Sequence, residues 1–444
     1  MNPEESATSP HRPDTRLSRR KRILFSLVTM LLAVMVAEGI ANAWVLFAVR
    51  DSWDGLLMQQ RTIAEGGSPQ DGIVEVIHPY LGWAMNPDID PGPRASDIDI
   101  PVNRLGFNDF EHGIPHRAPG RLVVAVVGGS VAWQFSVYGE QAFRKKLQED
   151  ERFRNIEIEI VRLAMPGYKQ PQQVMALAWL LSLGAEFDAV VNLDGYNEIA
   201  LPVCENHLAR VNTAYPRMWH ARLQNVVDPR AYAFSFRLLQ ARAMRQESAV
   251  AIRQSWWKWS AIRNLLWLLR NQQLSQQIVE FGEEIRTHEH RFGRGFASDG
   301  PMEQFADEQE LFARSAALWR DSSLQLQSLC LGNGATYVHF LQPNQYVEGS
   351  KPMGTWEREK MVEEGQLYGQ AIARGYPMLI DAGRTLLERG IAFHDLTRLF
   401  AQIEEPLYRD PFCHLNPRGN DLLAEAIAER LLSELVAANE PEGG

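Results

Sequence analysis

The chain has 444 residues, of which 45% are hydrophobic and 23% charged, with a formal net charge of −10. That composition is globular, and the acidic balance excludes a general nucleic-acid role, because binding phosphates needs a positive surface. Cys204, Cys330 and Cys413 show no CxxC or Cys/His spacing, which excludes a zinc module; an exterior location leaves one disulfide open, but buried free thiols are the expected state of most.

Residues 1–22 read as a polar cytoplasmic tail ending in Arg16, Arg19, Arg20, Lys21 and Arg22. Residues 23–49 are almost wholly apolar. At ~1.5 Å per residue, such a helix crosses a ~30 Å hydrocarbon core with some tilt. The basic cluster precedes the span, and Asp51 and Asp54 follow it. The positive-inside bias therefore predicts a single-pass anchor in the inner membrane, with the rest of the chain periplasmic or extracellular. Ala41-Asn42-Ala43 has the form of a signal-peptidase site, but the apolar run continues through Trp44-Val45-Leu46-Phe47, which favours an uncleaved anchor. Glu38 lies inside the span, where a carboxylate costs on the order of a few kcal/mol. Contact with a membrane-protein partner and a protonated or snorkelling side chain both remain open for it.

Residues 50–120, rich in Pro, Gly and Asp, predict an extended lead-in packed on the main domain. Residues 121–198 then alternate: a strand at 121–127, a helix at 141–149, a strand at 156–163, a helix at 171–183 and a strand at 187–193. The alternation resumes over 305–437, with a helix at 308–331, a strand at 336–341, a helix at 355–374, a strand at 391–395 and a closing helix at 417–435. Residues 438–444 read as a disordered tail. Strands alternating with helices predict an α/β fold, three-layer α/β/α around a five-stranded parallel, flavodoxin-like sheet. Such a sheet binds ligands beyond the carboxyl ends of its strands.

Residues 199–304 interrupt this pattern with a helical insertion rich in Trp and Arg. Trp256, Trp257, Trp259 and Trp267 mix there with Arg253, Lys258, Arg263 and Arg270. A lid, a helix in the membrane interface and a self-packed subdomain all fit. His288-Glu289-His290 reads as a solvated loop and not a metal site, since residues at i and i+2 share no helix face.

Four motifs carry chemistry. Ser130 follows the apolar run LVVAVVGG, whose two glycines let the chain turn sharply at the strand's end. It is a candidate nucleophile, although alone it reads equally as a helix N-cap. Gly167 in AMPGYKQP follows the second strand and can bring its N–H close to a ligand, or simply form a Pro-Gly turn. Asn197 in VVNLDGYNEI can aim an amide at a developing oxyanion, or stabilise its own turn. His414 in YRDPFCHLNP precedes the last helix and is a candidate base for Ser130.

In these residues the chain resembles the SGNH, or GDSL-like, hydrolase superfamily, over roughly 120–197 and 305–437. The resemblance implies Ser130 as nucleophile, written GGS in place of GDS. It implies Ser130, Gly167 and Asn197 as oxyanion-hole donors, and His414 as base. Glu198 stands where the family pattern usually has Asp. The stretches HPYLGWAMNP and NRLGFNDFE look like the lead-in of membrane-anchored bacterial members, and HFLQPNQYVEGSKP, with Tyr346, like a strand-to-loop passage of the same group. The family's last block is usually Asp-x-x-His, whereas here Pro411 stands three before His414 and Asp410 stands four before. Asp410 is the expected acid if the loop bulges around Pro411; a Ser–His dyad and Asp395 are the fallbacks.

The expected function is thus a membrane-anchored serine esterase acting on acyl esters of an extracytoplasmic glycan or lipid, with no metal or other cofactor. Two alternatives stay open: an O-acyltransferase that passes the acyl group to a glycan hydroxyl, and a non-catalytic glycan-binding or scaffold protein. The sequence does not assign substrate-binding residues.

Overall fold

The computed structural model describes residues 18–48, 53–64, 75–88, 100–111, 113–227, 229–291 and 295–437. The tail ahead of residue 18 and the tail at 438–444 lie outside the described residues. The chain divides into two compact units, one built from residues up to Asp71 with Phe234–Ile285, the other from Gly72–Ala233 with Arg286–Gly444. The insertion is therefore shared between them.

In chain order, α1 (Arg19–Ala48) is one continuous helix running through Ala41-Asn42-Ala43. Within its stretch Arg19–Trp44 an 18-residue window has a mean hydropathy of 2.3 and no buried share, so the helix is long and apolar enough to cross a membrane. α2 (Trp53–Ala64) follows, and the lead-in thus begins with a helix rather than extended chain. Leu56, Gln60 and Ile63, at helical spacing, form its buried face. β1 (Glu75–His78) and β2 (Gly82–Met85) make an antiparallel hairpin.

The core begins with β3 (Arg121–Gly128), α3 (Ser130–Tyr138), α4 (Glu140–Gln148), β4 (Glu157–Arg162), α5 (Gln172–Ser182), β5 (Ala189–Asp194) and α6 (Tyr196–Leu201). The insertion carries α7 (Trp219–Val227), α8 (Pro229–Gln254), α9 (Ala261–Arg291) and α10 (Phe296–Asp299). The core then closes with α11 (Glu308–Gly332), β6 (Thr336–Leu341), α12 (Thr355–Met361), α13 (Leu367–Glu388), β7 (Ala392–Asp395) and α14 (Pro417–Ala437).

β3 to β7 form one five-stranded sheet in the order β4-β3-β5-β6-β7, every pair parallel. This is the flavodoxin-like order, with its topological switch between β3 and β5. Helices cover both faces, so the central strands are buried almost throughout: β3 reads as an apolar run and every residue of β5 is buried, while the edge strand β4 alternates as EIEIVR. α14 packs on α3 and α4, and α11 packs on α5 and α13.

The helix expected at 355–374 is two helices. α12 stops at Met361, and α13 begins at Leu367 and continues past an internal Pro377. His288-Glu289-His290 belongs to α9 and not to a loop. The three cysteines are free and buried.

The unit containing α1 has a small core of Leu56, Ile63, Ala249, Ile252, Trp267 and Leu268. Within it the buried Gln60 side chain donates to Asn264 Oδ1 at 2.7 Å. Of the four tryptophans singled out in the insertion, only Trp267 is buried there; Trp256, Trp257 and Trp259 are exposed.

Candidate active site

Ser130 is the first residue of α3, and the residue capping that helix is Gly129, with no side-chain capping bond. The N-cap reading of Ser130 is thereby set aside. At that first position its N–H has no intrahelical acceptor and points out of the helix end. Its Oγ lies 2.8 Å from His414 Nε2, and His414 Nδ1 lies 2.6 Å from Asp410 Oδ2. With the carboxylate accepting Nδ1–H, Nε2 is left to accept the serine proton. The His414 and Asp410 side chains are 20% and 29% exposed, so solvent reaches the relay.

The displaced acid reaches the imidazole because the loop is a tight, pinned bulge. Tyr408 and Leu415 form an antiparallel bridge, and Arg409 N–H donates to His414 O at 3.0 Å. Inside it Cys413 adopts φ +66°, a left-handed conformation that few side chains tolerate. Phe412 N–H donates to Asp410 Oδ1 at 2.8 Å. Burial works against the charged form of Asp410. The hydrogen bond and charge of His414, with the Phe412 and His414 backbone N–H groups, outweigh it and hold the carboxyl below its ordinary value.

Four residues hold this loop, three of them, Gln345, Tyr346 and Lys351, from the stretch HFLQPNQYVEGSKP. Gln345 Nε2 donates to Asp410 O at 2.9 Å, and Tyr346 Oη donates to Pro411 O at 3.1 Å. At its base, Glu357 Oε1 accepts the N–H groups of Leu407 and Tyr408 at 2.8 and 2.9 Å. Glu357 is itself paired with buried Lys351 at 2.6 Å. Tyr346, Lys351, Arg358 and Arg374 also line a cavity of about 630 Å³; neither Ser130 nor His414 borders it, so it is not where the relay acts.

On the opposite side, Asn197 lies in the first turn of α6 and donates through Nδ2 to Tyr168 O at 2.7 Å. A Cβ built on Gly129 would lie 2.4 Å from that Nδ2 and 3.3 Å from Tyr168 O. The three loops after β3, β4 and β5 therefore meet at Gly129. An amide carries two protons, and only one is used on Tyr168. Gly167, two residues beyond Met165, has φ +91°, a conformation that favours glycine. Tyr168 Oη donates to Trp83 O at 2.6 Å, tying this loop to the lead-in hairpin. A buried ion pair ties the lead-in to the end of β4 as well: Asp109 accepts Arg162 N–H and Nη1, both at 2.8 Å.

Glu198 accepts Gly195 N–H at 2.7 Å, Gln173 Nε2 at 3.1 Å and Gln170 N–H at 3.2 Å, joining the loops after β4 and β5. Burial, then the neighbouring Asp194 charge, pushes its pKa upward. Beside Gly167, the Cβ position lies 3.4 Å from Arg217 Cδ. Arg217 is ion-paired with Glu205 at 2.8 Å, and Tyr368 Oη donates to the same carboxylate at 2.8 Å. Phe412 packs edge-on against both Tyr196 and Tyr368. Arg217, Tyr368 and Phe412 thus form a rim, of which only Phe412 lies in a motif, that of His414.

Asp395 is not part of the site; it accepts Thr397 N–H at 2.8 Å in the turn after β7. A second Ser–His–Asp relay exists, with Ser323 Oγ 2.8 Å from His339 Nδ1 and His339 Nε2 2.9 Å from Asp194 Oδ1. All three are buried and Trp319 closes on Asp194 at 2.6 Å, so this relay is internal glue between β5, β6 and α11. Among the described residues no group of three His, Cys, Asp or Glu side chains could hold a metal ion.

No protein-family model matches the chain, and no curated protein matches it. Among solved structures, that of an acetyl xylan esterase, AlAXEase, aligns over 70% of this chain and 98% of its own, at 12% identity and a TM-score of 0.31. So remote a likeness leaves the chemistry to be read from the site itself.

Proposed function

We propose that the protein is a membrane-anchored serine esterase of the SGNH type. The observation that carries this reading is the solvent-reached relay from Ser130 Oγ through His414 to Asp410, at 2.8 and 2.6 Å. Ser130 Oγ attacks an ester carbonyl while His414 Nε2 takes its proton. The Ser130 and Gly167 N–H groups and the free Asn197 amide proton stabilise the tetrahedral oxyanion. The imidazolium then protonates the leaving alkoxide, and water, deprotonated by His414, releases the acid and restores Ser130. Asp410 holds the tautomer and stabilises the imidazolium.

The bonds that α1 makes to the chain beyond it, Trp53 Nε1 to Asn42 Oδ1 at 2.8 Å and Ala261 N–H to Glu38 at 2.5 Å, support an anchor over a cleaved leader. The domain then faces the cell exterior, where acyl esters on a glycan or lipid are the substrate class. A fluorophosphonate probe tests the chemistry: it labels the folded chain and fails on Ser130→Ala, which also loses hydrolysis of short acyl esters. Ser130→Ala with full hydrolysis would overturn the assignment.

A further inference from the structure

The carboxylate inside the anchor is not bare. Glu38 accepts hydrogen bonds from the Ser260 hydroxyl, from Ala261 N–H at 2.5 Å and from Ile262 N–H at 3.3 Å. It therefore caps the N-terminus of α9, where the backbone N–H groups lack intrahelical acceptors and the helix dipole favours a negative charge. What it holds in place is the turn Ser255–Ser260, which Trp257 N–H to Ser255 Oγ at 3.2 Å and Asn264 Nδ2 to the Lys258 and Ser260 carbonyls, both at 2.8 Å, keep compact.

That turn carries a sharply exposed aromatic face. Trp256, Trp257 and Trp259 are 79%, 51% and 74% exposed, and Lys258 lies over the Trp259 ring at 5.4 Å. Three large apolar rings left in water are costly, and an amphipathic ring with a cation beside it suits the headgroup layer of a bilayer. Depth along α1 points to the same layer. From Ile23 to Glu38 the helix rises about 22 Å, which leaves Glu38 about 8 Å short of the far edge of a ~30 Å hydrocarbon core. A turn bonded to Glu38 therefore lies within the roughly 5–10 Å below that edge to which interfacial amphipathic helices embed.

We infer that the Trp256–Trp259 turn is a second membrane contact, inserted in the outer-leaflet interface and held there by Glu38. The inference rests on the reading of α1 as a membrane span. Its occupant is lipid continuous with that surrounding α1, and the cap accounts for how a carboxylate is tolerated in the span without a partner protein.

Nitroxide labels on the full chain in phosphatidylcholine vesicles test it, at Leu32→Cys in α1, at Trp257→Cys and Trp259→Cys in the turn, and at Glu151→Cys as a water reference. The native thiols are buried, and the unsubstituted chain serves as blank. Collision with lipid-soluble oxygen is compared with collision with a water-soluble nickel complex. The expected result is oxygen preference at Leu32, Trp257 and Trp259 and nickel preference at Glu151. Glu38→Leu is expected to shift the Trp259 label toward nickel, while Glu38→Gln, which keeps an acceptor, leaves it in lipid. Lipid exposure at Leu32 with water exposure at both tryptophan positions overturns the inference and spares the anchor. Water exposure at Leu32 overturns the anchor and the inference together. A Trp259 label unmoved by Glu38→Leu removes Glu38 as the holding residue.

Discussion

Asp410 stands four residues before its histidine, and the physics of the loop decides that this spacing works. The left-handed Cys413 absorbs the extra residue, and the Asp410 carboxylate is fixed from both sides by His414 Nδ1 and Phe412 N–H. Asp410→Asn keeps the shape but removes the charge that orients the imidazole, so kcat should fall by roughly 10³- to 10⁴-fold with KM little changed. Unaltered kcat would leave a Ser–His dyad. The same carboxyl is depressed in the folded chain, so its stabilisation is complete above the ordinary carboxylate pKa and lost as pH falls through the lower folded value. Lys169 behaves in the opposite sense. Burial drives its ammonium down from 10.5 to about 7, against the opposing pull of Glu198, Glu303 and Glu205. Between those values the unfolded chain binds more protons, so stability should rise with pH across that window. Denaturant midpoints of wild type and Lys169→Met, taken at several pH values in detergent, should show that slope only in the wild type. An equal slope in both would exclude Lys169 as its source.

At the scale of elements, the site is made where three strand ends meet, and Gly129 is the point of closest approach. A methyl group there would lie 2.4 Å from the Asn197 amide nitrogen. Gly129→Ala should therefore push Asn197 away from the site and lower kcat by about 10²- to 10³-fold, the cost of one oxyanion donor. A probe that still labels Ser130 would separate this from loss of the nucleophile, and unchanged kcat would remove Asn197 from the chemistry. The strands were legible because short apolar stretches alternate with helical segments, which predicts a parallel sheet; β6 falls at Thr336–Leu341, where the sequence places it. α3 was not legible, since Val131 to Val137 are all buried except Trp133, which leaves no polar stripe to mark a helical period. The four motif residues could be read from their places after strands or before α14. The roles of Glu357, Gln345 and Asp109 could not, even where the stretch around them resembled the family, because each acts on backbone or charge fifty or more residues away. Only the fold brings them together.

For the whole molecule, the proposed reading of α1 as a membrane span puts Ser130 on one side of a bilayer, and the charges that flank α1 predict which side. Arg19, Arg20, Lys21 and Arg22 open α1, while Asp51 and Asp54 follow it. Moving that basic cluster across the bilayer is the unfavourable event that fixes topology, since acidic residues contribute little to the bias. The N-terminus should therefore stay inside and Ser130 should face out. In intact spheroplasts, external protease should digest a C-terminal tag and spare an N-terminal one, and alkaline carbonate should leave the undigested chain in the membrane fraction. A membrane-impermeant, charged fluorophosphonate should label Ser130 in the same spheroplasts as fully as it does after lysis. Labelling only after lysis would put the site inside and sink the exterior substrate class, even if the esterase chemistry held. Extraction by carbonate would sink the anchor, and with it the reason for a tryptophan turn beside Glu38. Replacing the four basic residues with glutamate should reduce labelling of intact spheroplasts, because the helix then loses the charge that sets its direction.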